Sequence, residues 1–594
     1  METEAQVDGT GESLQGNGTS GDASYWHSVD WVRAERNVKR LRQRIFKAAQ
    51  EGDLKKVRNL QKLMLRSHSN TLQSVKRVTQ TSAGRRTAGI DGETVLKPAG
   101  KGRLARSISN DPAQGVMPVR RVYIPKANGK MRPLGIPIIR DRVHQARVKN
   151  ALEPEWEARF EAGSYGFRPG RSCHDAIEQI FRVTSSRSRQ ARRTWVLDAD
   201  LASAFDRINH DRLLETIGGF PAREAIRRWL KAGVMDRGRF APTEAGTPQG
   251  GVISPLLLNV ALHGMEEAAG CRADAGRNER LRSPRTIRYA DDFVVFCRTK
   301  EDAWNVKKRL ADWLGPKGLT FNEEKTRVVH LDEGFDFLGF NVRKYSGKTL
   351  IKPSKEAVAR IIGTVRDIAC SMSQAPTEEV IKRLNPVIKG WSTYYRGAVS
   401  SEIFGSLDNY VWKRMWRWAV RRHPRKSKQW IVDKYWGKFL YPARKDRWIF
   451  GDKETGKYLC KFAWTNIKRH TPVKGRSSRD DPSLEEYWAS RTRKRVHPQV
   501  DGANVHLAAR QKGLCPLCGQ DLIDGAGYEP DSVREWANWF QAKSRTIHRH
   551  HLVHRSRGGS NHTTNLVLIH AECHRQHHAA DYHRNPEKST NAQS

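Results

Sequence analysis

The sequence predicts a multidomain α+β protein, and three observations carry that prediction. Between about residues 118 and 343, short β-branched and aromatic runs alternate with stretches of helical spacing. Residues 355–420 carry helical spacing alone, and most of the histidines gather beyond residue 505 beside two closely spaced pairs of metal-ligand residues. A chain of 594 residues is long enough for roughly three to five domains.

Taken in order, residues 1–24 are polar and Gly-rich and read as a disordered tail without the basic-then-apolar order of a signal peptide. Residues 25–75 show helical spacing at Val38, Leu41, Ile45 and Phe46, and Gly84 to Gly92 reads as a loop. Strands are expected over Val122–Ile124, Trp195–Leu197, Thr286–Tyr289 and Phe293–Phe296, and helices over Arg140–Phe160, Asp175–Val183 and Glu301–Trp313. Helical spacing resumes at Val358, Ile361, Ile362 and Val365. Residues 411–470 hold 18 Lys+Arg against 4 Asp+Glu, together with seven of the 18 Trp. A Ser/Arg-rich stretch near 471–483 reads as a linker, and no internal repeat is found.

Charge narrows the function. With 106 Lys+Arg against 64 Asp+Glu the formal charge is +42, which points to a polyanionic partner such as nucleic acid. No run of 18 apolar residues occurs, so no transmembrane helix is expected. Cys173, Cys271, Cys297, Cys370 and Cys460 are scattered, which fits a reducing, cytosolic setting rather than a disulfide scaffold.

Two expected strands end in acids: Trp195-Val196-Leu197-Asp198-Ala199-Asp200, and Thr286-Ile287-Arg288-Tyr289 followed by Ala290-Asp291-Asp292. The second, continued by Phe293–Phe296, reads as a hairpin with acids at its turn. Carboxylates at adjacent strand ends repel unless a cation neutralises them, and Mg2+ takes oxygen ligands shared with phosphates. Two such ions activate a primer hydroxyl and stabilise leaving pyrophosphate. Near the C-terminus, Cys515-Pro516-Leu517-Cys518 and His570-Ala571-Glu572-Cys573 can close a tetrahedral structural Zn2+ site. His550 and His551 on a strand point to opposite sides, so one can ligate metal while the other faces a substrate; His574 and His578 at i, i+4 share a helix face.

Seven ordered blocks make the chain resemble the reverse transcriptases encoded by mobile group II introns: Arg120–Lys126 through Lys130–Pro137, Ser164–Ser172, Asp200–His210, Gly246–Leu256, Tyr289–Asp292, Gly318–Thr326 and Phe337–Phe340. The resemblance implies a right-hand polymerase with fingers and palm over 25–345, an α-helical thumb/maturase domain over 346–460, a basic DNA-binding segment over 461–504 and a C-terminal ββα-metal HNH module over 505–594. It implies that Asp200 and Asp291 ligate Mg2+ with Asp292 assisting, Asp198 being a strand-end neighbour. Phe205 would crowd a ribose 2′-hydroxyl and favour deoxynucleotides. Arg120, Lys126 and Arg132 would hold the triphosphate, and Gln249 and Gly250 would border the incoming nucleotide.

Gly390-Trp391-Ser392-Thr393-Tyr394-Tyr395-Arg396 and the Trp/Arg-rich stretch after it resemble the family's maturase domain, which binds intron RNA. For most of these Trp a core position is the expectation. In the HNH-like module the pattern implies His550, His574 and His578 as ligands of a nuclease metal, with His577 the alternative to His578. It makes His551 the general base, and Asn565 the residue that orients His551 or its loop. The implied cofactors are Mg2+ at the polymerase site and the nuclease, and structural Zn2+ on Cys515, Cys518, His570 and Cys573. The implied partners are group II intron RNA in a ribonucleoprotein, target DNA and deoxynucleoside triphosphates, in the cytoplasm of a bacterium. The function implied is RNA-directed DNA polymerase, splicing maturase and site-specific endonuclease in retrohoming. The alternatives are a splicing-only maturase or a retron- or CRISPR-associated reverse transcriptase.

Overall fold

The structure, a computed structural model, describes residues 20–109, 115–125, 131–185, 193–271, 283–439 and 446–494, and 506–577 apart from 509, 512, 521, 523–546, 555–557, 572 and 575–576. Five N-terminal helices come first: α1 (Ser20–Ser28), α2 (Trp31–Gln50), α3 (Leu54–Arg66), α4 (His68–Lys76) and α5 (Pro98–Ser109). Asp30 and Asp53 cap α2 and α3 by accepting from the backbone N–H three residues on. The 1–24 tail reading is corrected for residues 20–24, which begin α1: Asp22 is buried and accepts from Arg106 Nη1 at 2.9 Å, tying α1 to α5. Residues 1–19 lie outside the described residues.

A four-stranded sheet forms the centre. Its strands are β3 (Trp195–Asp200), β6 (Arg285–Tyr289), β7 (Asp292–Cys297) and β8 (Arg327–His330), in the order β6-β7-β3-β8, all antiparallel. Alternation along each strand splits the core. Leu197, Phe293 and Val295 join one hydrophobic cluster with α2, α3 and α6 (Ile139–Arg159), whereas Val196, Val294 and Phe296 join a second with α7 (Cys173–Thr184) and the later helices. A sheet buried on both faces presents only its strand ends to solvent, and that is where the acids lie.

The fingers hairpin pairs β1 (Val119–Pro125) with β2 (Met131–Ile136) and continues through β4 (Val234–Asp236) to β5 (Arg239–Ala241). After the central sheet, β9 (Phe335–Phe337), β10 (Phe340–Tyr345) and β11 (Lys348–Pro353) form a small sheet. It leads into the helices Lys355–Ser371, Thr377–Tyr395, Ser401–Arg422 and Lys428–Tyr435, and β12 (Trp436–Gly437) pairs with β13 (Ile449–Phe450). Trp391, Trp418 and Trp436 are core residues, while Trp412, 37% exposed, lies parallel to Trp416 at 5.8 Å between ring centroids. The C-terminal module is a hairpin of β14 (Ile547–His551) and β15 (Leu566–His570).

The linker reading of 471–483 is corrected. This strap is bound to α2, α6 and α7 through buried charges that composition alone conceals. Asp175, fully buried on α7, accepts from His470 Nε2 at 2.9 Å and from the Val473 N–H at 2.8 Å. Arg42 on α2 donates to both oxygens of Asp480, at 2.8 and 2.7 Å, and to Glu153 on α6 at 2.9 Å. Arg171 donates to the Gly475 carbonyl at 2.6 Å, and the Trp488 ring covers Gly170. Burial by itself would disfavour the Asp175 carboxylate; the His470 hydrogen bond and the charges of His470 and Arg491 outweigh it and hold the group well below the usual carboxylate range.

Candidate polymerase and nuclease sites

The acids meet because register brings them together. In β3 and β7, Asp200 is paired with Asp292, and Tyr289 at the end of β6 is paired with Asp292 across a turn made of Ala290 and Asp291. Ala290 sits at φ 59°, the left-handed conformation that a two-residue hairpin turn demands. Desolvation first, and then the Asp200 charge, push the Asp291 carboxyl above the ordinary range against the pull of Arg132 and Lys325. Desolvation, then the Asp291 and Asp200 charges, push Asp292 well above it. Three carboxylates therefore compete for too little positive charge, an arrangement that favours a cation. Asp198, two residues before Asp200 and on the same face of β3, is engaged by Arg327 at 3.2 Å, and burial first raises it to about 6.

Three residues that carry this geometry were not singled out in the sequence. Lys325 Nζ donates to Asp200 Oδ2 at 2.5 Å, and that hydrogen bond holds the ammonium above its ordinary range. Arg288, 2% exposed in the middle of β6, donates to Asn259 Oδ1 at 3.0 Å, to the Ala290 carbonyl at 3.2 Å and to Ser164 Oγ at 2.8 Å. Asn259 in turn donates to the Gly166 carbonyl at 2.9 Å. A Cβ on Gly166 would lie 2.3 Å from Ala290 N, so the Ser164–Ser172 block is packed directly under the acidic turn. The available signal for Arg288 was its place directly before the Tyr289–Asp292 run, between Ile287 and Tyr289.

The candidates for nucleotide contact lie on the β1–β2 hairpin, at Phe205 and in the Gly246–Leu256 loop. Arg132 is paired with Ile124, so it shares a face of the fingers hairpin with Arg120; Lys126 lies outside the described residues. Gly135 N–H donates to the Gln249 carbonyl at 2.7 Å, and Gly250, at φ +126°, has space for no Cβ because the Gly135 carbonyl would stand 2.7 Å from it. The fingers hairpin is thereby fixed to the Gly246–Leu256 loop. Phe205 is half-buried, its ring edge-on to Phe167 at 6.2 Å, and its carbonyl accepts from Thr247 N–H.

At the C-terminal module, ligand atoms of Cys515, Cys518, His570 and Cys573 all lie within 4.8 Å of one another, a closed four-ligand set. On β14, His548 and His550 share one face. His550 has its ring 5.2 Å from His574 and 5.1 Å from His577, and His548 is 5.3 Å from His574. His578 lies outside the described residues; the alternative, His577, is set edge-on to His550. His551 points to the other side, where Nε2 meets Asn561 Oδ1 at 2.9 Å. Of the two roles open to Asn565, the hydrogen bonds favour the loop: its side chain accepts from Val553 N–H at 2.8 Å and donates to the carbonyls of Val553 and Ser560 at 3.0 and 2.8 Å. Asn561 is the partner that sequence reasoning missed. No helix among the described residues is long and apolar enough to cross a membrane.

Comparison with known proteins follows the same division. Family models match as reverse transcriptase (RNA-dependent DNA polymerase) over residues 124–342, N-terminal domain of reverse transcriptase over 26–108, group II intron maturase-specific domain over 358–436, and HNH endonuclease over 538–580. Protein YkfC of Escherichia coli K12 is 34% identical over 351 residues, covering 52% of this chain and 90% of that one. Group II intron-encoded protein LtrA of Lactococcus lactis is 32% identical over 308 residues, covering 42% of this chain and 50% of its own length. The match thus spans about half of LtrA. Among solved structures, a telomerase from Candida albicans overlaps 54% of this chain and 64% of its own at 14% identity and a TM-score of 0.29.

Proposed function

The chain belongs to the family of group II intron-encoded reverse transcriptases, and from that premise we propose that it is a multifunctional enzyme: RNA-directed DNA polymerase, maturase of its intron RNA and site-specific DNA endonuclease. The observation that carries this reading is the convergence of Asp200, Asp291 and Asp292 at one end of a sheet otherwise buried on both faces.

An oxygen-only, acid-crowded donor set fits Mg2+, which Asp200 and Asp291 would hold with Asp292 assisting. When bound, Mg2+ activates the primer 3′-hydroxyl and stabilises charge on the leaving pyrophosphate. The chain's own part is placement. Arg288 and Asn259 fix the Ala290–Asp291 turn, Arg120, Lys126 and Arg132 hold the triphosphate, and Gln249 and Gly250 border the base and sugar. Phe205, braced by Phe167, crowds a 2′-hydroxyl and so selects deoxynucleotides.

In the C-terminal module the thiolate-rich set fits structural Zn2+. His550 and His574, with His577 or His578, would hold the nuclease ion. An imidazole donor set suits a transition metal better than the Mg2+ expected there. His551 is the general base: with Asn561 Oδ1 accepting from Nε2–H, Nδ1 is left to take a proton from the attacking water. Nicking one DNA strand leaves a 3′-hydroxyl, and that end primes copying of the intron RNA, with the basic strap and the maturase helices contacting phosphates.

The test separates the two chemistries. Asp291→Ala should abolish extension of a DNA primer on an RNA template and leave nicking intact. His551→Ala should abolish nicking and leave extension of a pre-annealed primer intact. Extension by Asp291→Ala at the wild-type rate would overturn the polymerase assignment, and nicking by His551→Ala the nuclease assignment.

A further inference from the structure

The helix Ser401–Arg422 buries one stripe, Phe404, Leu407, Val411, Met415, Trp418 and Ala419, in the second hydrophobic cluster. Trp412 and Trp416 lie outside that stripe. They follow each other at i, i+4, so their rings meet on one flank of the helix, parallel to within 3° with centroids 5.8 Å apart. Behind them stands the buried Trp436, its centroid 5.5 Å from that of Trp416 and 6.1 Å from that of Trp412. Trp412 is thus held by two other indoles and is still 37% exposed. A single exposed apolar side chain is ordinary. A flat ring that is already stacked and still open to solvent is more than that, because a further ring can be laid on it with little loss of side-chain freedom.

The adjoining row of the same helix is basic. Lys413, Arg417 and Arg421 are all exposed, recur at i, i+4 and i+8, and stand about 6 Å apart along the axis. Lys413 is three residues before Trp416, a spacing that sets the two side chains beside each other. Among the described residues none of the three cations is in an ion pair. They belong to the stretch 411–470, with its 18 Lys+Arg against 4 Asp+Glu. An open ring beside a row of uncompensated cations suits a polyanion that itself carries flat rings. Single-stranded nucleic acid is such a partner, whereas a duplex keeps its base faces stacked inside. RNA is favoured over DNA because the helix lies within the segment matched as a group II intron maturase-specific domain.

We propose that Trp412, backed by Trp416, is a stacking platform for an unpaired base of single-stranded RNA, whose neighbouring phosphates lie along Lys413, Arg417 and Arg421. The proposal rests on the maturase reading above and narrows it. This flank of the domain takes unpaired nucleotides and not helical RNA. Because every base has a flat face, the platform itself makes no choice of sequence; it selects for a base that is free to be covered.

The experiment titrates the full-length protein, by fluorescence anisotropy over a range of salt, with an end-labelled unstructured RNA strand and with the same strand annealed to its complement. Trp412→Leu keeps an apolar side chain against Trp416 and Trp436 but removes the ring; Trp412→Phe keeps a ring. Trp412→Leu should weaken single-strand binding by about 5- to 150-fold, the range for one stacked base, and Trp412→Phe should recover most of that loss. Neither should change duplex binding or the slope of log affinity against log salt. Replacing Lys413, Arg417 and Arg421 together by Gln should instead lower that slope by about two, at roughly 0.7 per phosphate. 5-Iodouridine placed in the strand should photocross-link to the peptide that carries Trp412. Equal losses for Leu and Phe, or an equal loss on duplex, would mean that the ring only packs, and would overturn the proposal. Wild-type affinity in Trp412→Leu with no cross-link would show that the pair faces something other than RNA; that overturns the platform and leaves the maturase reading standing. A wild-type chain that binds neither RNA overturns both.

Discussion

Replacing Gly166 by alanine adds one methyl group beneath the acidic turn and touches no functional group. Its Cβ would lie 2.3 Å from Ala290 N, 2.9 Å from the Tyr289 carbonyl carbon and 3.1 Å from Ala290 Cα. Ordinary contact requires a separation nearer 3.5 Å, so the turn or the Ser164–Ser172 block must retreat by roughly 1 Å. The block has little freedom to move: Tyr165 N–H donates to the Arg288 carbonyl at 2.9 Å, and Arg288 N–H donates to the Gly163 carbonyl at 2.8 Å. The displacement therefore falls on Ala290 and Asp291. Reacting groups need placement within about 0.5 Å, and a 1 Å error costs on the order of 100-fold in rate, or about 2.7 kcal/mol of barrier. Single-nucleotide primer extension on an RNA template, read as kcat against KM, should show the loss in kcat, because the misplaced group acts in the transition state. Unchanged circular dichroism and nicking by the same preparation establish that the chain is folded. A Gly166→Ala protein that is folded and extends primers within threefold of wild type would refute the claim that this contact sets the catalytic turn.

Phe205→Ala should raise incorporation of ribonucleotides relative to deoxynucleotides by about 10- to 100-fold, checked by competing the two on one template, because a steric gate discriminates by the few kcal/mol a misfit costs. Asn565→Ala should impair nicking without changing zinc content, since it frees the loop that Val553 and Ser560 anchor; metal analysis and a plasmid-nicking assay measure both. Asp175→Ala should free the strap at neutral pH and cost about 3–5 kcal/mol, because it strips a buried partner from His470 and the Val473 N–H. Limited proteolysis within 471–483 reports it. The sign of the wild-type pH dependence follows from a carboxyl held below its unfolded value: its contribution is full above the ordinary carboxylate pKa near 4 and is lost as pH falls below that. Protease sensitivity of the wild-type strap should therefore appear only in acid, whereas Asp175→Ala shows it at pH 7.

What the sequence made legible was whatever is encoded locally. Asp291 and Asp292 are adjacent, Asp200 ends a recognisable strand, and Cys515–Cys518 and His570–Cys573 carry their own spacing. What stayed hidden is carried by common residues whose partners are remote. Lys325 is one of 106 basic residues, and its bond to Asp200 spans 125 positions. The strap reads as a linker because its side chains are polar and small; its burial depends on Asp175 and Arg42, which no periodicity connects with it. Asn561 and Asn565 are four apart in one loop, and only the backbone path decides which of them meets His551.

The Arg42–Asp480 pair joins positions 438 residues apart, and it has a consequence for synthesis. At 5–20 residues per second, α2 emerges from the ribosome roughly 20 to 90 s before its acidic partner does. During that interval Arg42 and the polymerase body await the strap, so the first domain translated is among the last to be completed. Truncation should follow the same order. A stop codon after the strap, near residue 495, keeps the Arg42–Asp480 and Asp175–His470 pairs, whereas one near residue 460 strands Arg42 and the Asp175 carboxylate of α7 and leaves a nascent chain for proteases. Shortening from the C-terminal side therefore keeps these charge pairs only as far back as the strap.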